Sequence, residues 1–77
     1  MSWIPLDSTA VRAVRYLNAE SSLELKFCDG AIYRYSAVPE LTFQEFLRAE
    51  SKGRYFNLHL RTQYPFDPVH PAESNGP

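Results

Sequence analysis

The stretch SLELKFCDGAIYRYS, residues 22–36, constrains this chain more than any other. Leu23, Leu25 and Phe27 alternate with Glu24 and Lys26, the period-two pattern of an antiparallel strand with one face buried. Asp29-Gly30 and a second apolar run from Ala31 to Ser36 follow, which predicts a hairpin. The length of the turn then decides where every later side chain points, because a slip of one residue turns each of them over. A two-residue type I′ turn at Asp29-Gly30 would pair Cys28 with Ala31 and set Tyr33 and Tyr35 across from Lys26 and Glu24, on a polar face. A three-residue loop, Cys28-Asp29-Gly30 closed by Gly30 in the left-handed conformation, would pair Phe27 with Ala31, Leu25 with Tyr33, Leu23 with Tyr35 and Glu24 with Arg34. The second register matches apolar with apolar and carboxylate with guanidinium, worth about 0.2–1 kcal/mol per pair, and is preferred. It lines the core with the two tyrosines, leaves their hydroxyls toward the rim, and keeps Arg34 exposed.

The flanking segments complete a small α+β domain. Ala10 to Tyr16 alternates loosely, reads as a strand, and is joined to the hairpin by the polar turn LNAESS. The third strand stops before Val38-Pro39. Pro39 suits the first turn of a helix and Glu40 suits its positive end, while Phe43, Phe46 and Leu47 form a stripe at helical spacing, with Gln44, Glu45 and Arg48 outward and an end near Glu50. From Ser51 to Pro65 two patterns compete. Phe56, Leu58 and Leu60 alternate as a strand would, whereas Tyr55, Phe56, Leu60 and Tyr64 share one helical face. The helix is preferred because Ser51 can cap it and Pro65 can stop it. The expected architecture is a three-stranded antiparallel meander followed by two α-helices packed on one face, with Phe27, Phe43, Phe46, Leu47, Phe56 and Leu60 in one core. One domain over residues 1–66 is expected, and the proline-rich polar tail, 67–77, is expected to be disordered.

Composition narrows the function. A chain of 77 residues is one domain at most, and a domain this small buries only about 60% of its unfolded surface, so most large apolar side chains are needed for packing. Eight basic and nine acidic residues give a net charge of −1, unlike most stand-alone nucleic-acid binders, so any polyanion site must be local. The lone Cys28 excludes an internal disulfide, and no Cys and His set has metal-ligand spacing, so neither metal nor other cofactor is expected. With no leader-like or membrane-spanning run, a cytoplasmic protein is expected.

Two clusters are candidates for binding. Lys52, Gly53 and Arg54 follow the cap residue Ser51, where a helix start beside two cations would suit a phosphate, and Arg61 extends this acid-free stretch. The spacing is not that of a nucleotide-hydrolysing loop. Tyr33, Arg34 and Tyr35 form the second cluster: rings on a sheet can stack bases and Arg34 can reach phosphate, although the preferred register commits the tyrosines to the core. His59 has no partner at catalytic spacing, so no enzyme is expected. Trp3, Pro5 and Ser8, the strand-ending Tyr16, LELKFCDGAIYRYSAVP and AESKGRYFNLHLRTQYP together resemble the KTSC domain, a small family named for its place at the C-terminus of some lysyl-tRNA synthetases. The resemblance runs from Trp3 to about Phe66 and, through that association, implies RNA binding. The leading expectation is thus a non-enzymatic module that binds RNA or another polyanion through Arg34, Lys52, Gly53, Arg54 and Arg61. The alternative is a protein-interaction or self-association module using an open sheet edge.

Overall fold

A computed structural model describes residues 3–70. Five strands form one antiparallel sheet in sequence order: β1 (Ile4–Pro5), β2 (Val11–Leu17), β3 (Ser22–Phe27), β4 (Ile32–Tyr35) and β5 (Phe66–His70). Between β4 and β5 the chain forms α1 (Glu40–Arg48), the short α2 (Lys52–Tyr55) and a π turn (Phe56–Leu60). The α+β class is as expected, but the sheet has two strands more than the three-stranded meander. Both added strands lie at sheet edges and both carry a proline, Pro5 and Pro68. Proline ends a central ladder yet is tolerated at an edge, where a missing N–H costs no pairing bond. Residues 67–70, expected within the tail, complete β5; the rest of that expected tail lies outside the described residues.

The central hairpin has the three-residue loop. Leu23 pairs with Tyr35, Glu24 with Arg34 and Leu25 with Tyr33. Phe27 N–H donates to Ala31 at 2.8 Å, and Gly30 N–H donates to Phe27 at 2.9 Å. Gly30 has φ 94°, the region open to glycine, and the Asp29 carboxylate accepts from Ala31 N–H at 3.0 Å. The loose alternation of β2 is a bulge: Val11 pairs with Phe27 and Ala13 with Lys26, leaving Arg12 as the extra residue.

Val11, Val14, Tyr16, Leu23, Leu25, Tyr35, Val38, Phe46 and Leu60 form the buried cluster. Phe27, Phe43, Leu47 and Phe56 pack against it, half-buried, so the expected core residues do meet. Tyr16 stacks on Phe43 with ring centres 5.0 Å apart and donates its hydroxyl to Val38 O at 2.6 Å. In the 51–65 segment Leu60 is fully buried and Leu58 is 58% exposed. A strand would have put them on one side, so helical periodicity prevails, with Ser51 Oγ accepting from Arg54 N–H at 3.2 Å as its cap. Among the described residues no helix is long and apolar enough to cross a membrane.

Candidate functional site

Pairing β4 with both β3 and β5 brings five aromatic rings to one end of the core face. Phe27 meets Tyr33 edge-on at 5.7 Å and Phe56 at 5.1 Å; Tyr35 lies 5.7 Å from Phe56 and 5.4 Å from Phe66; Tyr33 lies 5.5 Å from Phe66. These rings, with Arg61 and Thr62, line an open cleft of about 610 Å³, a size that suits a small organic ligand. Phe66 is 51% exposed, so the aromatic wall reaches the solvent. Both motif tyrosines are therefore packed and also contribute to a cleft, a combination that pairing within one hairpin does not reveal.

The π turn sets the cleft's other wall. Arg61 N–H donates to Phe56 O at 2.8 Å, the five-residue spacing of a widened turn, a feature frequent at functional sites. It places Phe56 against the tyrosines and Arg61 at the cleft, where the guanidinium also donates to Asn57 Oδ1 at 3.5 Å. Burial first, then the neighbouring Tyr33, pushes the Tyr35 phenol up to about 12, against a partial opposing effect from Arg61. At neutral pH Tyr35 therefore stays an uncharged hydroxyl. The cleft presents π faces and a cation but, among the described residues and apart from Asp29 in the hairpin loop, no carboxylate.

The remaining expected residues do not converge here. Lys52 turns back and donates its ammonium to Ala49 O at 2.5 Å, at the end of α1, where a cation complements the unpaired carbonyls. A Cβ on Gly53 would sit 3.1 Å from the Ala10 Cβ, so this glycine lets α2 approach the start of β2. Arg54 lines a separate notch of about 320 Å³ with Glu50, Tyr55 and His59 among others. With only four residues in α2 and one N–H already capped by Ser51, the helix start itself is a weak anion trap.

Arg34 is on the opposite, uncovered face of the sheet. There Glu24 is only 1% exposed, held between Arg15 (Nε to Oε1, 2.7 Å) and Arg34 (Nη2 to Oε2, 2.8 Å). Burial by itself raises the Glu24 carboxyl, but the hydrogen bonds and charges of the two guanidiniums outweigh it and hold the group below the usual carboxylate range. The Trp3 ring lies 4.5 Å from the Arg15 guanidinium and 5.2 Å from the Lys26 ammonium, within cation–π reach.

His59 stacks near Tyr55, 4.5 Å between ring centres, and the Tyr55 hydroxyl donates to Glu45 at 3.0 Å. Burial and then Glu45 push the Tyr55 phenol up to about 12. Among the described residues no group of His, Cys, Asp and Glu is placed to hold a metal ion.

The fold and cleft define a small α+β domain with a one-sided aromatic core. The chain belongs to the KTSC domain family, whose pattern it matches over residues 7–64. A protein of Stutzerimonas stutzeri is 39% identical over 64 residues, 83% of this chain and 90% of that protein. A lysine–tRNA ligase of Nostoc is 33% identical over 61 residues, 79% of this chain and 11% of the ligase. The crystal structure of a KTSC domain protein from Yersinia pestis has a TM-score of 0.85 at 28% identity, covering 88% of this chain and 96% of that one.

Of the site residues, Tyr33, Tyr35 and Arg61 were legible in the sequence. Phe27, Phe56 and Phe66 were missed as cleft walls because their pattern is equally that of core residues. The one available signal was the number of aromatic residues, more than the small buried cluster encloses.

Proposed function

We propose that this domain is a non-enzymatic module that binds single-stranded RNA, with a base seated in the aromatic cleft and a phosphate beside Arg61. The convergence of Tyr33 and Phe66 with Arg61 on one open cleft, with the buried Tyr35 behind them, carries this reading, since base stacking on such rings contributes about 1–3 kcal/mol per base. The similar segment within a lysine–tRNA ligase supports it. Protein association through β5 is the competing reading, favoured by the exposed Phe66 and Val69 on that edge strand.

Fluorescence anisotropy with a labelled oligouridine separates them. RNA affinity is expected to fall with salt at a log–log slope of about −0.7 per phosphate contacted. Arg61→Gln should lower that slope by about one contact, and Phe66→Ala should weaken binding about tenfold or more through lost stacking. No binding even at low salt rejects the RNA reading. A salt-tolerant dimer that Val69→Lys dissociates would establish the association module instead.

A further inference from the structure

We propose a phosphate-binding notch on the far side of the hairpin from the aromatic cleft, formed by Arg12, Lys26 and His70 around Gly30 and Ile32. These five residues line an open notch of about 180 Å³, the space of about six water molecules and enough for a phosphate group. The sheet register assembles it. Lys26 pairs with Ala13 on one side and Ile32 on the other, and Ile32 pairs with His70, so residues from four strands form a row at one end of the uncovered face.

Arg12 joins that row because it is the bulge residue of β2, and bulges re-aim side chains. Its guanidinium is anchored over the hairpin by donating to Cys28 O at 3.3 Å, which uses one of five N–H donors and leaves the others for a ligand. Neither Arg12, Lys26 nor His70 is in an ion pair among the described residues. Of the nearby acids, Glu24 is paired by Arg15 and Arg34, Asp29 accepts from the Ala31 N–H and Asp67 pairs in register with Arg34; none of the three lines the notch. Arg12, tied down at one N–H, the Lys26 ammonium, which also lies 5.2 Å from the Trp3 ring, and His70 thus line a small notch with no carboxylate among the described residues, an arrangement suited to a phosphate group. The site rests on this geometry and not on the aromatic cleft.

Inorganic phosphate titrated into the ¹⁵N-labelled protein at constant ionic strength tests it. Saturable shifts confined to the amides of Gly30, Ile32 and His70 are expected. Lys26→Gln and Arg12→Gln should each weaken the half-saturation about tenfold, the equivalent of one charge-assisted hydrogen bond; folding of each variant is checked in the same spectra. Shifts that rise linearly, spread over the surface, or persist unchanged in the Lys26→Gln variant overturn the site. A second arm adds oligouridine. Competition between phosphate and RNA at these amides would identify the ligand as a nucleic-acid backbone phosphate, while saturation by phosphate with no RNA effect would identify a small phosphorylated compound. Phe66→Ala should leave the phosphate shifts intact, so loss of RNA binding in that variant is distinct from failure of the notch.

Discussion

The two faces of the sheet solve burial in different ways. The covered face packs Leu23, Leu25, Tyr35 and Phe46 without polar contacts among them, a non-directional interaction that scales with area. The uncovered face buries Glu24 as deeply, but through two guanidiniums and a tryptophan laid across neighbouring strands. One face is therefore sensitive to volume and the other to charge. A sheet covered by helices on one side needs some such device, since among the described residues its other side has no second layer to exclude water.

The largest expected effect is on the covered face. Phe46 is fully buried and meets Tyr55 with ring centres 5.9 Å apart, so Phe46→Ala should cost about 3–5 kcal/mol through lost burial and the cavity left behind. That approaches the whole stability of a domain this small, and denaturant unfolding should show little or no native baseline. A nearly unchanged unfolding midpoint would mean that the packing contrast between the faces is wrong.

Next comes the ionic face. Glu24→Gln should destabilise by about 1–3 kcal/mol at neutral pH, less than the loss from a fully buried pair because the guanidiniums keep solvent contact; the Arg15 and Arg34 side chains are 30% and 42% exposed. The sign of the pH dependence follows from the lowered Glu24 carboxyl. Its contribution is present above the unfolded value, about 4.3, and is lost as pH falls through the lower folded value. The stability gap between the parent and Glu24→Gln should therefore narrow below about pH 4. Thermal unfolding of both proteins from pH 7 to pH 3 measures it, and a gap that widens toward acid would reverse the assignment.

The smallest effect lies at the turn that sets which residues belong to which face. Gly30→Ala should cost about 1 kcal/mol, because a Cβ disfavours the positive φ there. Chemical denaturation is sensitive enough to detect it. A neutral result would show that the loop relaxes without moving the register.

Much of this is legible in the sequence. Strict alternation at Leu23, Leu25 and Phe27, opposed to Tyr33 and Tyr35, favours one hairpin register over the other, and the helical face through Phe43, Phe46 and Leu47 with Pro39 ahead of it is more direct. These are local patterns, in which neighbours a few residues apart already contain the information. The edge strands were not legible because proline reads as a breaker, and its tolerance depends on which strands happen to lie outside.

The sequence by itself thus determined the α+β class and favoured the three-residue hairpin loop, the Glu24–Arg34 pairing and a helix capped by Ser51 over their alternatives, since each depends on short-range periodicity and turn chemistry. Only the tertiary structure decided that Lys52, Arg54 and Arg61 diverge although close in sequence, that Arg12 and His70 line one notch from strands β2 and β5, and that Phe66 brings the aromatic wall to the solvent. Those juxtapositions depend on how β5 returns to pair with β4 after two helical segments, and that closure is set by the packing of the whole core rather than by any local preference.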